Sequence, residues 1–233
     1  PVADLARAPV EFATGAATHV DLDMAGSQGD LVHAQGTLNL DLFGFVQATG
    51  SFAIDKRTDT VTLAGSAEVV TVDALTFGVT QASAFAGING GKTRAVGDTL
   101  TGVDLGLAIL ADQADASRTW TSLQAKAQGV TFAGITGITL AASGLDVAIN
   151  QAGKTGDAVV DYLAHGLSID TGPGAVTLDM AGSKGALLQA SGALEVDVFG
   201  FFHVDGAFAI QKSSQVVTLA AASNVTVDLL SLG

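Results

Sequence analysis

Leu178-Asp179-Met180-Ala181-Gly182-Ser183 repeats Leu22-Asp23-Met24-Ala25-Gly26-Ser27 letter for letter, 156 positions apart (178 − 22 = 156). The same offset superposes Phe43-Gly44-Phe45 on Phe199-Gly200-Phe201, Phe52-Ala53-Ile54 on Phe208-Ala209-Ile210, and Val61-Thr62-Leu63-Ala64 on Val217-Thr218-Leu219-Ala220. No gap is needed until about residue 70, where a one-residue slip aligns Val72-Asp73 with Val227-Asp228. Fixed-period self-similarity is the mark of a repeat architecture, in which each unit covers its neighbour's apolar face. The chain opens on Pro1 and holds one period plus about half of the next, so it is expected to come from a longer tandem array.

Around the quoted stretch the sequence alternates. Leu38, Leu40 and Leu42 fall on one side and Asn39, Asp41 and Phe43 on the other; Leu194, Val196 and Val198 against Glu195, Asp197 and Phe199 repeat the pattern. A period of two is that of a strand. Gly44 and Gly200, each between aromatics, predict a bend or bulge. Further strands are expected over Phe45 to Asp55 and Thr60 to Asp73, joined by a charged hairpin loop, Asp55-Lys56-Arg57-Thr58-Asp59. Residues 78–101 read as a short strand leading into a loop, and Asp112 to Arg118 as an exposed loop. Strands over Thr121 to Gly129, Val130 to Leu140, Leu145 to Asn150 and Val159 to Ile169 follow, with turns at Gln151 to Asp157 and Thr171-Gly172-Pro173-Gly174. No segment has a sustained helical period. Short turns between successive strands imply antiparallel pairing, because parallel strands need long crossovers.

The fold class this predicts is all-β, with antiparallel strands in a repeat-built, solenoid-like stack or elongated β-rod. Residues 1–156 make one full period, with half-units of about 20–102 and 103–175, since Val103-Asp104-Leu105 weakly echoes Val20-Asp21-Leu22. Residues 157–233 are the first part of the following repeat, continuous with the first.

Composition narrows the function. Apolar residues reach 48% and charged ones only 14%, well under the roughly 25% of ordinary soluble domains, so much of the surface is expected to be covered by neighbouring strands or repeats. A net charge of −13, from 23 acids against 10 bases, argues against nucleic acid, whose phosphates need clustered Lys and Arg. With no Cys, disulfides, thiolate metal sites and a cysteine nucleophile are excluded. No apolar run is long enough to span a membrane as a helix.

Catalytic motifs are missing: there is no G-x-S-x-G, H-E-x-x-H or G-x-G-x-x-G, and Gly90-Gly91-Lys92-Thr93 is only a fragment of a phosphate-binding loop. His33 and His203 face Gln189 and Gln47 in the other copy. The chain is therefore expected not to be an enzyme and to hold no cofactor.

Glu195 and Asp197 project side by side from one strand, with Asn39 and Asp41 as their counterparts. Asp41, Glu195 and Asp197 could supply part of the about six to eight oxygens that a structural Ca²⁺ takes, with loop acids Asp112 and Asp115 in reserve; a solvated strand face is the competing explanation. Phe43, Phe45, Phe199, Phe201 and Phe202 are expected to pack in the core around the strand bend. Trp120 follows a polar loop outside the repeated aromatic set, and is expected to be an exposed ring available for ligand contact.

Long, nearly gap-free copies, rich in Asp, Gly, Ala, Thr and Val, poor in Lys and without Cys, resemble the repeat regions of very large secreted bacterial proteins, adhesins and other surface or matrix fibres. The calcium-binding nonapeptides of the RTX class are missing. The resemblance implies an extracellular or cell-surface structural segment: a fibre, adhesin stalk or surface-layer element whose partners are neighbouring repeats or identical chains. The alternative is a glycan- or surface-binding adhesin module acting through Trp120.

Overall fold

A computed structural model describes residues 2–220 and 224–233. It is all-β and antiparallel, with no α-helix among the described residues. Nine strands form one open sheet, in the order β13-β12-β11-β8-β7-β6-β5-β4-β3. They are β3 (Val32–Leu42), β4 (Val46–Thr62), β5 (Val69–Ile88), β6 (Val96–Asp112), β7 (Thr119–Ala133), β8 (Ile138–Ala152), β11 (Leu187–Val198), β12 (Phe202–Thr218) and β13 (Asn224–Leu232). Each pairs antiparallel with its neighbour in the order, so the sheet is a meander interrupted once, between β8 and β11. No solenoid coil is identified among the described residues, and the sheet does not close. The physical reason is the connections: all but the one between β8 and β11 reverse the chain within one layer, and that one returns to the same sheet.

The strands are long. β5 has 20 residues, roughly 65 Å at about 3.3 Å each. Its first half alternates strictly between solvent and interior, with Val70, Val72, Ala74, Thr76 and Gly78 buried; beyond Gly78 no residue of β5 is buried. What covers the first half is the segment that interrupts the meander. Residues 159–187 carry a hairpin, β9 (Leu167–Asp170) with β10 (Ala175–Leu178), and a single 3₁₀ turn at Gly182–Lys184. This lobe lies across β4 to β7. Val160, Tyr162, Leu167, Ile169, Leu178 and Met180 meet Val61, Leu63, Val72, Leu110 and Trp120 in one buried cluster. A second lobe, β1 (Val10–Ala13) with β2 (His19–Leu22) and a 3₁₀ turn at Gly26–Gln28, begins the chain.

Several expectations are corrected. Asp55 to Asp59 is no loop but the middle of β4, because its charges are paired: Arg57 lies between Asp55 and Asp59 and reaches the lobe. The reversal comes later, over residues 63–68, closed by Leu63 N–H donating to Glu68 O at 2.8 Å. β5 runs ten residues past 78 before the loop at 89–95. Val130 to Leu140 straddles the turn at 134–137, and Val159 to Gly166 is lobe, not strand. Gly44 marks a hairpin turn and not a bend within a strand: Phe43 and Gly44 both have left-handed φ, 55° and 72°, as in a type I′ turn. Phe199 and Gly200 repeat this with 54° and 68°. The aromatics at these tips are consequently outside the core, Phe43 and Phe201 each 96% exposed. Val103–Leu105 lies inside β6, whereas Val20–Leu22 belongs to the first lobe.

A row of backbone irregularities crosses the sheet where the covered half ends. Register shifts fall between Thr49 and Ser51, between Val79 and Ala84, and between Ser191 and Ala193. Gln81, Gly102 and Gly144 take left-handed φ along the same line. Asp104 fastens it by accepting from the Gln81 N–H at 3.0 Å and from the Thr80 hydroxyl. Bulges of this kind bend a sheet. On the face opposite the lobe, Leu38, Phe52, Phe77, Val79, Leu100 and Val103 line a trough of about 360 Å³ beside this row.

Two measurements check the lobe's seat. A Cβ at Gly78 would stand 1.9 Å from the Asp170 carbonyl oxygen, so Gly78→Ala must lift the β9–β10 tip, and it should lower stability by about 1–3 kcal/mol in urea unfolding. Tyr162, the sole tyrosine, has its hydroxyl buried without a hydrogen-bond partner, and the neighbouring Ser122 hydroxyl donates to Asn150. Burial pushes its pKa up to about 12. Because the unfolded tyrosine ionises near 10, this stabilisation is full below pH 10 and is lost as pH rises toward 12. The tyrosinate absorbance of the folded chain should therefore rise near pH 12 and not near 10.

Candidate functional site

The polar groups that gather in this fold gather at the seam between lobe and sheet. Backbone ties come first: Ala64 N–H donates to Val159 O at 2.9 Å and Asp161 N–H to Thr62 O at 2.8 Å. Buried side chains extend them, with Asn150 Nδ2 donating to Val160 O at 2.7 Å and Trp120 Nε1 to Ala158 O at 2.9 Å. Gln124 makes a reciprocal pair with Asp179, its Nε2 donating to the carboxylate and its Oε1 accepting from the backbone N–H. Inside the lobe Asp161 accepts from the Gly182 N–H at 2.8 Å, which fastens the 3₁₀ turn.

At the lobe's tip lies a charged cluster. His33 on β3, Asp55 and Arg57 on β4, and Ser168 and Asp170 on β9 border an open cleft of about 520 Å³. The His33 ring nitrogen Nδ1 bonds Asp55, Arg57 Nη1 stands 3.8 Å from the other Asp55 oxygen, and Arg57 Nη2 is 3.2 Å from Asp59. The same guanidinium donates to Ser168 O at 3.1 Å. Asp170 accepts from the Gly172 N–H at 2.7 Å. His33, Asp55 and Asp170 bring one ligand atom each within 4.8 Å of one another, so geometry alone would admit a metal ion. Their chemistry is already committed: Asp55 is engaged by His33 and by a guanidinium, a competing cation, and Asp170 by its own turn. In the second copy the corresponding residues are Gln189, Gln211, Ser213 and Gln215. The cluster acts as an ionic staple holding the lobe to β4. A second set of possible ligands, Glu11, His19 and Asp21, sits exposed on the first lobe; its counterparts on the β9–β10 lobe are Ser168, Ala175 and Thr177.

The residues singled out from sequence lie elsewhere. Asp41 accepts from the Gly44 N–H at 2.7 Å and from Gln47 Nε2 at 2.8 Å, and those two bonds, Gln47 first, hold its pKa below the usual carboxylate range. Asp197 plays the same turn-closing part, accepting from the Gly200 N–H at 3.1 Å, and stands 3.5 Å from His203. Glu195 faces Asp205 across the ladder. Asp41 is on β3, six strand positions from β11 in the sheet order, so it shares no site with Glu195 and Asp197. Asp112 is buried with Arg118 at 3.0 Å, and Asp115 closes its own loop through Ser117.

Trp120 corrects the expectation of an exposed ring. It is 2% exposed, with Arg118 over one face at 5.5 Å and Ala158 on its indole N–H, so it has no open face on which a sugar could stack. The polar loop before it gave a misleading signal, because the cover arrives from almost 40 residues downstream. A signal for the lobe was available in Val2-Ala3-Asp4 against Val159-Val160-Asp161, offset by 157.

The staple makes a measurable claim. Arg57→Met strands the buried Asp55 carboxylate with His33 alone and should cost about 2–4 kcal/mol in urea unfolding, near the range for broken buried pairs. Adding Asp55→Asn should restore part of that loss, a coupling absent if the two side chains were independent.

No family model, no curated protein and no solved structure matches this chain, so its functional reading is built on the lobe–sheet seam itself.

Proposed function

We propose that this chain is a structural segment of a tandem-repeat protein, part of an extracellular bacterial fibre, adhesin stalk or surface-layer or matrix protein. It assembles by strand pairing and repeat-to-repeat packing, and is not an enzyme. The observation that carries this reading is the packing of residues 159–187, which open the second copy, over the strands of the first. A repeat that lays its opening lobe on the sheet before it, and then extends that sheet, can be continued indefinitely. Residues 1–156 are read as one period and 157–233 as the start of the next. A structural Ca²⁺ remains part of the proposal only as a stiffener of the acidic surface.

Six sheet strands, β3 to β8, separate the start of one period from the start of the next at β11. Adjacent strands lie about 4.8 Å apart, so each added period should lengthen the body by about 29 Å. Negative-stain electron microscopy of one-period and three-period chains, with Ca²⁺ and with chelator, tests this. Rods whose length grows by that step support the spacer; compact beads on flexible joints would sink it. Shortening under chelator would add Ca²⁺ to the assembly.

A further inference from the structure

The two lobes are built alike. Asp4 accepts from the Gly26 N–H at 3.0 Å just as Asp161 does from Gly182 at 2.8 Å. Residues before the hairpin tip correspond at an offset of 157 and those after it at 156, because the β1–β2 turn (14–18) is one residue longer than the β9–β10 turn (171–174). Val10 and Phe12 thus stand for Leu167 and Ile169, and Met24 for Met180. Their surroundings differ completely. Ile169 is 0% exposed and Phe12 is 52% exposed.

The sheet shows the reciprocal difference. Leu63 and Val70, under the lobe, are 3% and 5% exposed; their counterparts, Leu219 just past β12 and Val225 on β13, are 49% and 41% exposed. Ala74, wholly buried, corresponds to exposed Leu229. Among the described residues the lobe and the β4–β5 part of its seat therefore occur a second time, both exposed, as the β1–β2 lobe and the β12–β13 face; the β6–β7 part of the seat, with Leu110 and Trp120, occurs once. The lobe leads into β3 at one edge of the sheet and the exposed face lies on β12 and β13 at the other, so the two do not meet within these residues.

We infer that the β1–β2 lobe of one copy docks on the β12–β13 face of a second copy, reproducing between chains the contact that β9–β10 makes on β4–β5 within one. The inference rests on the proposed structural role and names the surface through which that role is exercised. Such a contact joins two different patches, so it is head-to-tail and propagates into an open series of chains. The residues that drive it are apolar on both sides, as their equivalents are, with Phe12 in the place of Ile169 and Leu229 in the place of Ala74.

Complementation tests it. Phe12→Asp spoils the lobe and Val225→Asp with Leu229→Asp spoils the seat; all three positions are exposed in the single chain, and Trp120 emission reports that each variant is folded. In sedimentation velocity the wild type should form a concentration-dependent series of multiples of 23.2 kDa. Each variant alone should stay a monomer, and an equal mixture should stop at the dimer, since only one sound lobe and one sound seat remain to meet. Oligomers that persist in either variant would overturn the interface while leaving a fibre-forming segment intact. A wild type that is monomeric throughout would also overturn the interface; the rod-length measurement then decides the structural role independently.

Discussion

A single antiparallel layer cannot bury both its faces, and strands of 15 to 20 residues expose more apolar surface than a hairpin can hide from water. Everything in this fold depends on how that constraint is met. The lobe of residues 159–187 supplies the second layer over four strands, and the buried cluster around Tyr162, Ile169 and Leu178 exists only where the lobe reaches. The alternation in β5 is sharp under the lobe and dissolves beyond Gly78, at the row of bulges. Covered and uncovered halves of the same strands are thus different environments, divided by a line of backbone irregularity.

Much of the meander was legible in sequence. Alternation around Leu38 and Leu194 points to strands, the turns at Asp112–Arg118 and Thr171–Gly174 are where their composition places them, and the short connections imply antiparallel pairing. The failures have a common cause, contact with residues far along the chain. Asp55 to Asp59 looks like a solvated loop until Arg57 is seen between two carboxylates and bonded to Ser168, 111 positions away. Trp120 looks exposed until Ala158 is placed on its indole nitrogen. Phe-Gly-Phe looks like an aromatic core around a bend because exposed phenylalanines at a hairpin tip run against the usual cost of leaving such surface in water. The charged cluster at His33 was invisible for the same reason: its members come from β3, β4 and β9, which only the folded lobe brings together.

Lobe and meander also divide the work of stability differently from an ordinary two-sheet sandwich. Ladder pairing in the meander is local, each strand to its sequence neighbour, except at β8–β11, where the whole lobe is inserted between partners. Closing that one pair therefore requires the lobe to be seated or at least out of the way. The polar ties at the seam, Asn150 to Val160 O and Gln124 with Asp179, bond groups that burial would otherwise leave unpaired.

The direction of the meander has a mechanical meaning. The chain advances across its strands, so a force applied to its two ends pulls along the hydrogen-bonding direction and opens ladders as a zipper, one strand after another, where a load along the strands would shear many bonds at once. Taken alone, such a sheet yields early and gradually. The lobe lies crosswise over β4, β5, β6 and β7, and peeling any of these from its neighbour must first tear the apolar seat beneath Ile169 and Leu178. A sheet covered this way is soft where it is bare and resistant under the lobe.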